Sequence, residues 1–198
     1  MLTAQTIDRT FRKGDYSRLL DQVAAHGLPL PEALRRHLLR TESCPVALAL
    51  RRKLQLAYGS LREHLPMARF LLERQDADGL IEADPLATAA AAAAIGALLE
   101  HPAARLDADT RCSLQEALER AAGALAMRRR EDGLFSPALP TLSAVDADLV
   151  SAFILLMAAE PALSRLLDAR PTAAALQQRS RHLTPAARQL FLMTAAWP

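Results

Sequence analysis

Ala68-Arg69-Phe70-Leu71-Leu72-Glu73-Arg74-Gln75-Asp76-Ala77-Asp78-Gly79-Leu80-Ile81 is answered 54 residues later. The second stretch reads Ala122-Gly123-Ala124-Leu125-Ala126-Met127-Arg128-Arg129-Arg130-Glu131-Asp132-Gly133-Leu134-Phe135. Each is a helix-like run, then a short charged stretch, then Asp-Gly and two apolar residues. Each is followed, after a loop of variable length, by a second apolar run. Those runs end at Glu100-His101-Pro102 and at Glu160-Pro161. Self-similarity at such an interval marks stacked supersecondary units, here 66–102 and 120–161. The glycine of each pair supplies the left-handed backbone that a tight turn or helix C-cap needs.

The composition agrees with helices. Of 198 residues, 51% are hydrophobic and 4% aromatic, and much of the apolar content is alanine and leucine. Both favour helix. No run alternates cleanly with period two, so strands have no support. The expectation is an all-α chain of antiparallel helical pairs. The expectation is one domain over 1–198, within which 1–42 is a candidate N-terminal helical appendage.

Helix punctuation places the elements. Gly14 and Gly27 break the N-terminal segments, and Ser43 with Pro45 starts the run that continues to Arg74. Asp84-Pro85 reads as N-cap and first helical position of the alanine-rich helix. Asp107 or Asp109 caps a helix over 110–130. Ser143 or Asp146 begins the next, and 161–168, 171–181 and 185–196 follow.

Other classes are excluded by what is missing. The longest apolar stretch, Leu86 to Leu99, is shorter than the ~20 residues of a membrane span. Residues 1–15 lack the apolar core of a signal peptide. Cys44 and Cys112 form no CxxC pair, which suits a reducing cytoplasm. The net charge is +2, too small to imply nucleic acid. All but two of the 24 Lys+Arg residues are arginine. With the abundant alanine this indicates a GC-rich bacterial genome.

Leu71-Leu72-Glu73-Arg74-Gln75-Asp76-Ala77-Asp78-Gly79-Leu80, then Ala87-Thr88-Ala89-Ala90, resembles the repeat of the α/α-toroid proteins. These are the terpenoid cyclases and protein prenyltransferase β-subunits. Their unit runs from an apolar helix through Gln, a charged spacer and Asp-Gly to a Thr/Ala-rich helix. Arg129-Arg130-Glu131-Asp132-Gly133-Leu134-Phe135 with Asp146-Ala147-Asp148-Leu149 is the second match. The resemblance covers less than half the chain and implies part of a toroid. It does not carry the family's chemistry. Leu149 stands where the last acid of the Asp-x-Asp-Asp proton donor belongs, and no acidic metal cluster or zinc set follows the family pattern.

Asp76-Ala77-Asp78-Gly79-Leu80-Ile81 also mimics the middle of a calcium loop. Arg74 and Pro85 would then occupy its first and last ligand positions, where oxygen donors are required. A helix-ending turn is the better reading. Asp146 and Asp148, two apart on a helix, share no face, so one of them reads as a cap. The five histidines form no metal pair. No metal or cofactor is expected.

The candidate ligand or partner residues are Asp78, Asp132, Asp146, Asp148, Arg128, Arg129, Arg130 and Trp197. Arg35, Arg36 and Arg40, and Arg51, Arg52 and Lys53, are further basic clusters. The apolar Leu190, Phe191, Leu192 and Met193 dock into the core or bind a second copy. Repeats without a complete catalytic constellation point to a non-enzymatic protein that binds a protein partner, with a regulatory role within its scope. The alternatives are an apolar small-molecule binder or degenerate terpenoid-cyclase-like enzyme, and a nucleic-acid binder using the arginines.

Overall fold

The computed structural model describes residues 71–81, 83–101, 104–136 and 144–196. The helices expected before residue 71, the basic clusters at 35–40 and 51–53, Cys44 and Trp197 lie outside the described residues.

Among the described residues the secondary structure is helical, with no strand. Residues 71–73 close one helix. The others are α1 Pro85–Glu100, α2 Ala108–Arg128, α3 Ala144–Met157, α4 Pro161–Ser164, α5 Arg170–Gln178 and α6 Pro185–Ala196. None is long and apolar enough to cross a membrane.

The starts follow the expected chemistry. The Asp84 side chain accepts the Leu86 N–H and Pro85 fills the first turn of α1, where its missing N–H costs nothing. Asp107, not Asp109, caps α2 by accepting the Thr110 N–H at 2.8 Å. Asp109 lies in the first turn, where a negative charge faces the positive end of the helix dipole.

The core lies around α1 and α3. Helix α1 is buried continuously from Pro85 to Gly96 and again at Leu98. It packs on α2, α3 and α4, while α3 also packs on α5 and α6. A helix apolar on all sides has no solvent face and must be surrounded. The alanines at 89–94 leave room for neighbours to approach closely.

Three expectations need correction. Helix α3 begins at Ala144, so Asp148 sits inside it and caps nothing. The helix after Pro161 ends at Ser164, where the Leu166 N–H and the Leu167 N–H both donate to Leu163 O, at 3.0 and 2.9 Å, in a tighter turn. Helix α5 ends at Gln178, three residues early.

The C-terminal apolar segment docks by one face. Ala187 and Leu190 are buried, Phe191 is half-buried, and Leu192 remains 63% exposed.

Candidate functional site

The two Asp-Gly segments form the same turn. In the first, the Asp76 N–H donates to Leu80 O (2.7 Å) and the Gly79 N–H to Asp76 O (3.0 Å). In the second, the Arg130 N–H donates to Leu134 O (2.8 Å) and the Gly133 N–H to Arg130 O (3.0 Å). Asp78 Oδ1 accepts the Leu80 N–H, and Asp132 Oδ1 accepts the Leu134 N–H, each at 3.1 Å. The glycines have φ of +89° and +84°, a region that L side chains rarely adopt.

Beyond each turn the chain is tied to its buried helix through a hydroxyl. The Ile81 N–H donates to Thr88 Oγ1 at 2.8 Å, and the Phe135 N–H donates to Ser151 Oγ at 2.8 Å. Both sites are buried, so neither N–H has water as an alternative. Replacing Thr88 by valine keeps the shape and removes the acceptor. The expected loss is about 1–3 kcal/mol, while Thr88→Ser retains most of the stability. Urea unfolding of the two variants checks it.

Each turn also rests on the next peripheral helix by a matching set of contacts. A β-carbon on Gly79 would meet the backbone oxygen of Arg120 at 2.5 Å and Ala124 Cβ at 3.2 Å. A β-carbon on Gly133 would meet the backbone oxygen of Pro171 at 2.7 Å and Ala175 Cβ at 3.2 Å. Gln75 Nε2 donates to Ala117 O at 2.9 Å, and Arg129 donates to Asp168 O. Gln75 Nε2 also reaches Gly79 O at 2.9 Å, and Arg120 donates to Gln75 Oε1 at 2.7 Å. In the second set, Thr172 Oγ1 donates to Gly133 O at 2.8 Å.

At the ends of these helices the ionic pairing diverges. Arg128 pairs with Asp78 across the two segments at 3.3 Å. Arg179, the corresponding residue at the end of α5, forks onto Asp148 instead, at 2.8 and 3.2 Å. The Asp148 side chain is 6% exposed and that of Arg179 is 48% exposed. Asp132 takes Arg130 within its own turn at 2.5 Å.

The structure therefore gathers Asp78, Arg128, Arg129, Arg130, Asp132 and Asp148 around the two turns. Asp146 lies in the first turn of α3, and Trp197 is outside the described residues. Sequence reasoning missed Thr172, Asp168, Arg170 and Arg179. The spacing of Arg128 beyond Ala124, repeated by Arg179 beyond Ala175, was the signal for the last of these.

Electrostatics reinforce the structural ties. The Arg170 guanidinium, then the Arg170 N–H, bind Asp168 and hold its carboxyl near 2, below the usual 3.8. A lowered carboxylate pKa adds stability above the unfolded value, and that stability is lost as pH falls through the folded one. Asp168 should therefore stay ionised down to about pH 2. In Arg170→Ala the carboxyl should titrate closer to 3.8. Carboxyl carbon shifts followed by NMR read both values.

The Glu116 carboxylate, by hydrogen bond and charge, pushes the exposed Cys112 thiol up, which disfavours the nucleophilic thiolate. No group of His, Cys, Asp and Glu among the described residues is arranged to hold a metal ion. A cleft bordered by Phe135, Ile154, Leu155, Leu167 and Thr172 has no room for a water-sized guest.

No family model matches the chain, and no curated protein or solved structure is similar to it at a significant level.

Proposed function

We propose that this chain is a non-enzymatic helical scaffold of the bacterial cytoplasm that acts by binding a protein partner. Its helical pairs are arranged like part of an α/α-toroid. One observation carries the functional reading. Each acid with a described side chain that chemistry would call upon already holds the fold. Asp78 closes its turn and pairs with Arg128, Asp132 closes its turn and pairs with Arg130, and Asp148 is forked by Arg179. A carboxylate whose oxygens are engaged by a turn N–H and an arginine is committed to holding the fold together.

The matching turns, each seated on the following helix, support the toroid-like arrangement. The surface around the turns interleaves Arg128, Arg130 and Arg170 with Asp78, Asp132 and Asp168, a charged rim of the kind that surrounds partner interfaces. The pairs there are exposed and individually weak, so a partner can rearrange them at small cost.

The test uses the full chain, tagged, against a lysate of its source bacterium. One protein should co-purify in fixed ratio, and Arg130→Glu with Arg170→Glu should lose it while the circular dichroism is unchanged. The reading fails if the reversed variant retains the same protein. It also fails if native mass spectrometry finds a small-molecule excess mass that disappears on denaturation. That outcome would move the apolar-ligand or degenerate-cyclase reading ahead. Binding to DNA or RNA that falls steeply with salt would favour the nucleic-acid reading.

A further inference from the structure

Residues 169–196 carry Arg170, Arg179, Arg181, His182 and Arg188 and no Asp or Glu. Two of these cations are answered from outside that span, Arg170 by Asp168 and Arg179 by Asp148. Arg181 and Arg188 are exposed, and among the described residues no carboxylate pairs with either.

Both belong to the corner where α5 passes into α6. The His182 N–H and the Leu183 N–H close it on Arg179 O, at 2.8 and 3.1 Å. Arg188 reaches back from α6 and donates to Ser180 O at 3.0 Å, which brings its guanidinium beside the residue that precedes Arg181. Each of the two Asp-Gly turns contains a carboxylate that an arginine answers. The α5–α6 corner contains none.

Helix electrostatics do not account for Arg188. It stands one turn inside α6, near the positive end of the helix dipole, and no acid occupies that first turn. Two guanidinium groups and a helix N-terminus therefore share one exposed corner, an arrangement that an incoming anion stabilises.

Building on the partner-binding reading, we propose that this corner, through Arg181 and Arg188, holds the carboxylates of an acidic segment of the protein partner. Those carboxylates supply what the two Asp-Gly turns supply from within. Asp148 and, more weakly, Asp132 push the Arg179 pKa up, so a carboxylate of the second turn borders the corner. That border leaves room for a short run of acidic side chains and opposes a phosphate backbone that would run on past it.

The probe is a fluorescein-labelled hexaglutamate peptide, followed by anisotropy against the full chain at low salt. It should bind the wild type. Arg181→Ala with Arg188→Ala should weaken it about tenfold, the yield of two exposed ion pairs. Arg105→Ala with Arg111→Ala removes the same charge elsewhere, since Arg111 stands at the C-terminal end of α1 and donates to Leu99 O. That variant should stay within about twofold of the wild type. All four side chains are exposed, and circular dichroism checks that helicity is kept.

No binding of hexaglutamate, or equal losses in the two double variants, overturns the proposal. Tighter binding of an oligothymidylate that also depends on Arg181 and Arg188 overturns it too, and assigns the corner to phosphates. If Arg130→Glu with Arg170→Glu loses the captured protein while Arg181→Ala with Arg188→Ala keeps it, this corner is not the contact and the partner-binding reading stands. If the reversed rim variant keeps its protein while hexaglutamate still depends on the corner, the partner-binding reading fails and the carboxylate site stands.

Discussion

Gly79→Ala is expected to destabilise the chain by about 3 kcal/mol or more, from two causes that add. The first is backbone conformation. At φ +89°, a β-carbon costs about 1–2 kcal/mol against the following carbonyl. The second is the neighbour. That β-carbon would stand 2.5 Å from the backbone oxygen of Arg120, and backbone inside a helix cannot swing away. Forcing turn and helix apart adds about 1–3 kcal/mol of overpacking.

Gly133→Ala should behave similarly, with its nearest contact at 2.7 Å on Pro171. Gly123→Ala should have the opposite sign. There the helix gains about 0.5–1 kcal/mol, because the position is open. Urea unfolding of the three variants at low protein concentration decides it. If Gly79→Ala loses less than about 1 kcal/mol, the turn is not seated on α2 as described.

Arg179→Met is the second large effect, at about 3 kcal/mol. The reason lies in the asymmetry of the pair. The Asp148 side chain is 6% exposed while that of Arg179 is 48% exposed. Removing the arginine strands a buried carboxylate, a change that costs about 3–5 kcal/mol in enclosed sites. The lower end applies because solvent already reaches the guanidinium.

Asp148→Asn should cost less, about 1–2 kcal/mol. Its freed arginine can turn to water, and the asparagine oxygen still accepts one hydrogen bond. Asp148→Leu with Arg179→Met should cost less than the sum of the single changes, since no buried charge remains. Equal losses for Arg179→Met and Asp148→Asn would show that the carboxylate is not enclosed.

Much of the architecture was legible because it is local. Asp84-Pro85, and the pair Asp107 and Asp109 of which the first caps, announce helix starts through capping chemistry that needs only neighbouring residues. Asp-Gly at 78–79 and 132–133 announces left-handed turns for the same reason. The burial of α1 could be read from its alanine run, since a helix without a polar face has nowhere else to go. The ends at Ser164 and Gln178 were less legible, because the residues beyond them have helix-compatible side chains. Turn hydrogen bonds onto Leu163 O and Arg179 O close those helices.

The role of Asp148 could not be read from its own segment. Two acids two residues apart near a helix start suit a cap, and the local pattern carries no trace of Arg179, 31 residues later. Gln75 was visible as part of a motif, but its bond to Ala117 O depends on where α2 lies.

The sequence by itself determined the helical class, the capped start of α1 and the two left-handed turns. These depend on backbone sterics and on hydrogen bonds between residues a few positions apart. Tertiary structure alone decided which helix each turn sits against, which arginine answers which carboxylate, and that Gly79 and Gly133 are needed for close approach as well as for φ. Those choices depend on distances between segments that are remote along the chain, and they are set only when the buried faces of α1 and α3 pack.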